Sequence, residues 1–364
     1  MNPLLALKAL GQSPWLDDLQ RGLLGGPLQR LIDDDGICGI TSNPAILAHA
    51  LLETDDYREP IARLAPQCSD TSALYEALVL EDIRSAADQL LPLHRESDGQ
   101  DGLVSLEVSP ELAHDATASI AEARRLWAAV DRPNLMIKIP ATDAGLVAIE
   151  RLVAEGLNVN ATLIFSPARY RQVAEAWQRG MEQRVNGGQP AAGIASVASF
   201  FVSRIETLAD RLLQEKEREG ACASTLVGQV AVAAARIAYQ EFHHLRDTSA
   251  WRWLAAAGGA PQRLLWASTS TKNPAYPDTK YVDALAGPHT VTTLPLKTLQ
   301  AYRDHGRPAP RLETGIDNAR ATLRQLDALG IDFDAMAAQL EREGLEKFQA
   351  AWRRLLQALE SARP

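Results

Sequence analysis

Short apolar runs recur eight times along the chain, and longer stretches with helical periodicity separate them. Each run has the length of a buried strand, whereas the stretches between them repeat their apolar residues with the period of a helix. The runs occupy residues 14–19, 36–44, 101–110, 134–142, 156–166, 193–203, 263–270 and 289–296. Strands that alternate with helices predict a parallel sheet. Eight such units over roughly 280 residues predict an α/β fold, a single (β/α)₈ TIM barrel.

The connections between the runs carry further helix signals. Ser-Pro pairs at 109–110 and 166–167 combine a good N-cap residue with a proline that suits the first turn of a helix. The stretch over residues 45–100 is long for one connection, and residues 70–94 predict one or two extra helices between the second and third strands. Residues 222–246 form a long Ala/Val-rich pattern that predicts another helix.

The C-terminal part of the chain is helical in pattern from residue 297 onward, and residues 345–360 are strongly amphipathic. This amphipathic segment is expected to pack either across the barrel or against a partner. We expect residues 1–364 to form one domain, with the barrel core at about 14–300 and a helical C-terminal extension at about 301–364.

The composition is that of an ordinary soluble globular protein, with 46% hydrophobic and 23% charged residues. A net charge of −9 and the lack of a Lys/Arg stripe argue against nucleic acid as a partner. Cys38, Cys68 and Cys222 are irregularly spaced and odd in number, which predicts neither disulfides nor a zinc site. We find no signal-peptide pattern and no apolar run of about 18 residues. The protein is therefore expected to be cytoplasmic, without membrane contact, metal or cofactor.

Polar side chains are concentrated on the inner face of the predicted strands, near their carboxyl ends. Side chains alternate along a strand, so Glu107 shares a face with Ser105, and Lys138 shares one with Met136. Five further residues are placed in the same way: Asp17, Asn43, Asn160, Thr162 and Ser199. Because buried charges without partners are costly, packing alone does not explain polar residues at one height on six strands. Active sites of such barrels lie at this end.

This set of side chains suits a reaction that passes through a Schiff base. A neutral lysine amine attacks a ketone to form an iminium, and the iminium withdraws electrons so that a neighbouring C–C bond can break. Lys138 suits that role. Glu107 suits the acid that shuttles protons, with Thr162 able to hold a water, and Asp17 suits the carboxylate that removes a hydroxyl proton. The neutral groups that would fix sugar hydroxyls are Asn43, Asn160 and Ser199.

Five segments give the chain a resemblance to the transaldolase family, in its longer bacterial and plant-like subgroup. They read GITSNPAIL (39–47), LVSLEVSPEL (103–112), LMIKIPAT (135–142), NVNATLIFS (158–166) and ASFFVSRIE (198–206), and they cover most of the barrel. The resemblance implies a Schiff-base enzyme that transfers a dihydroxyacetone unit from sedoheptulose 7-phosphate to glyceraldehyde 3-phosphate. The products would be erythrose 4-phosphate and fructose 6-phosphate, in the non-oxidative pentose phosphate branch.

The resemblance also implies roles for single residues. Lys138 matches the family's Schiff-base lysine, Glu107 its strand-three glutamate and Asp17 its first-strand aspartate. The other matches are Asn43 on the second strand, Asn160 and Thr162 on the fifth, and the phosphate-binding Arg204 after the sixth. Thr41 shares the inner face with Asn43, and we expect Thr41 and Ser199 to bind substrate as well. The implied partners are small sugar phosphates, and the protein would be a monomer or a homodimer.

Two positions depart from the family pattern. A second phosphate-binding arginine is usual after the seventh strand, whereas Lys272 stands here. Lysine offers a point charge where arginine offers a planar fork, so the charge is retained and the hydrogen-bond geometry changes. The first strand is the weakest match to the family, and Asp18 is an alternative to Asp17 for the role of the aspartate.

Other interpretations fit parts of the pattern. A smaller relative of the family cleaves fructose 6-phosphate without an acceptor, and it usually has glutamine at the Glu107 position and tyrosine at the Phe201 position. A barrel that only binds sugar phosphates would not need a lysine, glutamate and aspartate together. Arg204 and Lys272 could be members of surface ion pairs, and Asn43 could simply cap a helix.

Overall fold

Eight parallel strands close into a barrel in the computed structural model of the chain, which describes residues 2–42 and 44–363. The strands are β1 (Gln12–Leu16), β2 (Gly39–Thr41), β3 (Leu103–Glu107), β4 (Leu135–Pro140), β5 (Val159–Ile164), β6 (Ser196–Phe201), β7 (Arg263–Ala267) and β8 (Thr290–Leu294). Each strand pairs with the next in chain order, and β8 pairs with β1 to close the barrel. Seven of the eight apolar runs contain a whole strand, and the first overlaps β1, which begins two residues earlier and ends at Leu16, before Asp17. The predicted (β/α)₈ barrel is confirmed.

Helices connect the strands and cover the outside of the barrel. In the described part of the chain they are α1 (Pro3–Ala9), α2 (Gly26–Asp35), α3 (Pro44–Glu53), α4 (Arg58–Leu64), α5 (Thr71–Glu96), α6 (Ala116–Val130), α7 (Asp143–Glu155), α8 (Pro167–Asn186), α9 (Ser203–Arg218), α10 (Val230–Arg246), α11 (Ser249–Ala256), α12 (Lys280–Ala284), α13 (Leu296–His305), α14 (Ile316–Ala328) and α15 (Phe333–Ala362). Among the described residues no helix combines the length and the apolar character needed to cross a membrane.

The stretch over residues 70–94, predicted as one or two extra helices, forms the single helix α5, and α4 is a further helix in the same connection. They hold the segment that follows β1, because Arg21 in that segment forms an ion pair with Asp82 of α5 at 2.6 Å. The hydroxyl of Tyr57 donates to the same carboxylate at 2.7 Å and accepts a hydrogen bond from the backbone N–H of Arg21. The buried carboxylate therefore fixes the segment that begins with Asp17.

The interior of the barrel is filled below the site. Trp15 on β1 is fully buried and lies against Gly39 on β2, where a Cβ atom would overlap the indole ring. At the opposite end, Arg263 donates to the Ser13 hydroxyl at 2.7 Å and pairs with Asp101 at 3.2 Å. The barrel is thus a packed core, and open space is left at the carboxyl ends of its strands.

The long helix α15 packs across the carboxyl end of the barrel, so the first of the two alternatives for the amphipathic C-terminal segment is confirmed. It contacts α3, α5 and α9 and the end of β5. Gly344 lies at the closest approach, because a Cβ there would stand 3.1 Å from Leu163 and 3.5 Å from Arg204. The absence of a side chain at Gly344 lets α15 pack close to the strand ends.

Two segments predicted as continuous helix contain breaks. The helix expected over 222–246 begins only at Val230, after a 3-10 turn over Ser224–Leu226 and a left-handed Gly228 with φ of 78°. The C-terminal extension is interrupted over 306–315, where two prolines precede Gly315 with φ of 68°. A residue with left-handed backbone cannot be part of a right-handed helix, so the helices begin only after Gly228 and Gly315. The prolines add to the second break, because proline lacks the N–H that a helix interior needs.

Candidate active site

A cavity of about 620 Å³ opens at the carboxyl ends of the strands and is bordered on one side by α15. Of the nine predicted site residues that the structure describes, seven line it: Asp17, Thr41, Lys138, Thr162, Ser199, Arg204 and Lys272. Glu107 and Asn160 do not line the cavity, but Glu107 contacts Lys138 and Asn160 contacts Ser199. Asn43 lies outside the described residues.

Lys138 on β4 is buried at the floor of the cavity. Its Nζ atom lies 2.5 Å from Oε1 of Glu107 and donates to the carbonyl oxygen of Ser42 at 3.2 Å. The strand register places Glu107 directly opposite Lys138, at the common height that the alternation along the strands predicts. The ring of Phe348 on α15 faces the amine at 5.8 Å. The amine and the carboxyl group are therefore in contact, and little of either side chain is exposed.

Glu107 has an environment that favours the protonated carboxyl. Burial raises its pKa, the contact with Lys138 opposes that shift, and the negative charge of Asp17 adds to it. The net direction is upward from the ordinary glutamate value. A carboxyl group with a raised pKa keeps its proton to higher pH than an ordinary glutamate does, which suits a group that both gives and takes protons.

Two threonine hydroxyls offer unused hydrogen-bonding capacity next to the amine. The Oγ1 atoms of Thr162 and Thr41 are buried, and neither has a hydrogen-bond partner among the described residues. Thr162 follows Asn160, the residue directly opposite Lys138, and it precedes Leu163, whose φ of 63° marks an irregularity in β5. These hydroxyls are placed to bind a water or a substrate oxygen.

Asn160 differs in its position from the other predicted site residues. It is fully buried, its Nδ2 donates to the Ser105 hydroxyl at 3.0 Å, and its Oδ1 accepts a hydrogen bond from Ser199 at 2.7 Å. Ser199 lines the cavity, whereas Asn160 lies beneath it. The structure therefore gives Asn160 contacts that orient Ser199, and a direct contact between Asn160 and a substrate stays a prediction.

Both aspartates after β1 line the cavity. Asp18 accepts a hydrogen bond from Gln20 at 3.0 Å, and burial together with the charge of Asp17 raises the pKa of Asp18 to about 6. The charge of Asp17 also acts on Glu107 and on the cations Arg204 and Lys272. Asp17 therefore lies within electrostatic range of Glu107 and of both cations.

Arg204 and Lys272 bring two cations to one wall of the cavity. Arg204, in the first turn of α9, lies over the ring of Phe201 at 5.2 Å, and its Nη1 is buried without a hydrogen-bond partner among the described residues. Lys272 donates to the Ser270 hydroxyl at 2.8 Å. Burial and the nearby guanidinium of Arg204 lower the pKa of Lys272, while Asp17 raises it. Two adjacent cations suit a dianionic group such as a phosphate.

Comparison with known proteins shows the family of the chain. The family model described as Transaldolase/Fructose-6-phosphate aldolase matches residues 14–359. The chain belongs to this family. Its relatives include proteins named Transaldolase from Thiobacillus denitrificans, at 46% identity over 98% of this chain and 99% of that one, and from Mycobacterium tuberculosis, at 48% over 98% and 96%. A third, from Neisseria gonorrhoeae, is 44% identical over 99% of this chain and its full length.

The site of this family member includes residues that its motifs did not indicate. Three of them are Lys347, Phe348 and Arg354, which line the cavity from α15. The amphipathic pattern over 345–360 signalled a buried face but not which surface that face would cover. Within the described residues, no group of three His, Cys, Asp or Glu side chains could hold a metal ion.

Proposed function

We propose that this chain is a transaldolase that transfers a dihydroxyacetone unit from sedoheptulose 7-phosphate to glyceraldehyde 3-phosphate through a Schiff base on Lys138. Family membership and the names of the full-length relatives support transaldolase activity. The observation that carries the mechanism is the contact of 2.5 Å between the Lys138 amine and Glu107 at the floor of the cavity.

The donor half-reaction begins with a proton shift across that contact. It yields a neutral amine and a protonated Glu107 together, and the raised pKa of Glu107 favours it. The amine attacks the C2 carbonyl of the ketose, and Glu107 returns a proton to the hydroxyl of the carbinolamine, which leaves as water. Asp17 then takes the proton of the C4 hydroxyl, the C3–C4 bond breaks, and the shortened aldose departs from an enamine.

The acceptor half-reaction runs the same steps in reverse with a different aldehyde. C3 of the enamine attacks the aldehyde carbon, and Asp17 gives its proton to the new hydroxyl. Water held by Thr162 adds to the iminium while Glu107 accepts a proton, and collapse of the carbinolamine frees Lys138 and the new ketose. Arg204 and Lys272 would bind the phosphate of each substrate, which leaves the sugar chain extended toward Lys138.

Trapping and acceptor omission test this function. With fructose 6-phosphate and borohydride, we expect a dihydroxyacetone-derived mass adduct on Lys138. Without an aldehyde acceptor, we expect a single release of glyceraldehyde 3-phosphate and then a stall, because the enamine stays on the enzyme. Continuous turnover to free dihydroxyacetone would instead indicate a fructose 6-phosphate aldolase, and the absence of any adduct would indicate a protein that only binds sugar phosphates.

Replacement of Lys272 by alanine tests the phosphate role. We expect KM for phosphorylated sugars to rise by about 10- to 100-fold, the effect of losing one charged hydrogen bond, and KM for free dihydroxyacetone to change far less. The Lys272→Arg variant, which retains the charge, should keep most of the affinity. Steady-state kinetics with both donors make the measurement, and an equal effect on both donors would remove Lys272 from the phosphate site.

The cytoplasmic location and the monomeric or homodimeric state stay predictions. Size measurement by light scattering at the enzyme's working concentration would decide the second.

A further inference from the structure

A group of charged and phenolic side chains, two buried and two half-buried, joins α9 to the segment that follows β7, outside the cavity. We call it the α9 cluster, and its members are Glu206, Asp210, Tyr276 and Lys280. Lys280 lies 3.0 Å from Glu206, and the Tyr276 hydroxyl donates to Asp210 at 2.5 Å. The Lys280 amine also stands 3.6 Å over the Tyr276 ring. Both carboxylates are almost fully buried.

The remaining carboxylate oxygens of the α9 cluster are also hydrogen-bonded. Oε1 of Glu206 accepts from the backbone N–H of Ala231 at 3.2 Å, and Oδ1 of Asp210 accepts from that of Gly228 at 2.8 Å. A Cβ at Gly228 would stand 2.9 Å from the Tyr276 hydroxyl, so the backbone needs a glycine to approach this closely. A buried ionic network with its acceptors bonded holds its members in one arrangement.

The segment tied down by this network carries Lys272. Its start is fixed to α9 at Ser268, whose carbonyl accepts from the Ser203 backbone N–H at 3.1 Å and whose hydroxyl lies 2.8 Å from that of Ser203. Its end is fixed to α9 through Tyr276 and Lys280. Lys272 therefore lies between two anchors on the helix that carries Arg204.

Such anchoring has a physical reason. Arg204 and Lys272 both line the cavity, and two like charges that close together repel each other. Lys272 is exposed, so before a phosphate binds a segment without anchors would be free to carry it away from Arg204 and relieve that repulsion. A preorganised pair of cations binds an anion more tightly than one that has to be assembled.

We propose that Tyr276 and Lys280 are positioning residues that hold Lys272 beside Arg204, so that both cations meet the substrate phosphate together. This inference rests on the proposed phosphate role of the two cations. It assigns no contact with the substrate to the α9 cluster itself.

The Tyr276→Phe variant tests the proposal because it removes only the hydroxyl and keeps the ring under Lys280. We expect KM for fructose 6-phosphate, and Ki for inorganic phosphate as a competitive inhibitor, to rise by about three- to tenfold, the range of one net hydrogen bond. We expect kcat, and KM for free dihydroxyacetone, to change less than about twofold. The Tyr239→Phe variant, whose lost hydroxyl donates to Pro288 at 3.0 Å, should show none of these changes.

A double-mutant cycle separates positioning from general stability. In the Lys272→Ala background, Tyr276→Phe should raise KM no further, because the residue through which it acts is gone. The proposal would be overturned if the two substitutions raised KM independently, so that their fold-changes multiply in the double variant. It would also be overturned if Tyr276→Phe changed KM equally for fructose 6-phosphate and for free dihydroxyacetone. If Tyr276→Phe unfolds at the assay temperature, Lys280→Met tests the same expectation from the other side of the network. If Lys272→Ala alone leaves KM for phosphorylated sugars unchanged, the phosphate role itself fails. If Lys272→Ala raises KM and Tyr276→Phe does not, only the positioning role fails.

Discussion

Replacement of Lys138 by alanine is expected to lower kcat by at least about 10⁴-fold and to abolish covalent trapping of substrate, because the variant lacks the amine that we propose forms the iminium. The variant should still bind sugar phosphates, since Arg204 and Lys272 are unchanged. Borohydride trapping followed by mass spectrometry of the intact protein makes the measurement. If inorganic phosphate still competes with fructose 6-phosphate for binding to the variant, the cavity is still formed.

The control for Lys138→Ala is the same substitution at a lysine outside the cavity. Lys8 is exposed on α1, ahead of the first strand, and Lys8→Ala should keep full activity and the trapped adduct. An adduct that persists in Lys138→Ala would show that another amine is the nucleophile. If the Lys138→Ala variant no longer bound fructose 6-phosphate in competition with inorganic phosphate, the substitution would have disturbed the cavity as a whole.

The barrel and the contact at its centre could be predicted because both follow from alternation along strands. The alternation of side chains along a strand predicted that Glu107 and Lys138 lie on inner faces near the strand ends. In the structure the two residues are paired directly across the adjacent strands β3 and β4. A long cation on an apolar strand was therefore an informative signal. Its apolar neighbours on β4 point away from the cavity or pack beneath the amine.

Other features of the site could not be predicted, because alternation along a strand gives the face on which a side chain lies but not how deep in the barrel it lies or which groups it contacts. Asn160 shares its face with Thr162, yet its amide is used by Ser105 and Ser199 one level below the cavity. Helical periodicity gave α15 a buried side without naming the surface it covers, so Phe348 was missed. The segment that carries Lys272 is joined to α9 by contacts between residues about 70 positions apart in sequence, which no local pattern indicates.

The Glu107→Gln variant is expected to slow Schiff-base formation by about 10²- to 10³-fold, the contribution of one positioned acid–base group. Glutamine keeps the shape of the side chain but can neither take the proton from the amine nor return it to the leaving hydroxyl. The rate is measured in a single turnover, by quenching fructose 6-phosphate complexes with borohydride at successive times. Glu341→Gln is the matched control, since burial also raises the pKa of Glu341 and its carboxylate lies outside the cavity.

The pH dependence of the same variant gives a sharper result. In the unsubstituted enzyme the active form holds one proton shared between Lys138 and Glu107, so activity should fall on both sides of an optimum. Because the pKa of Glu107 is raised, the loss at low pH, where the pair gains a second proton, should occur above the pH at which an ordinary glutamate titrates. In Glu107→Gln no acid remains to be lost, so the residual rate should rise with pH and then level off. A variant that keeps the fall at high pH would show that the proton shuttle is a group other than Glu107.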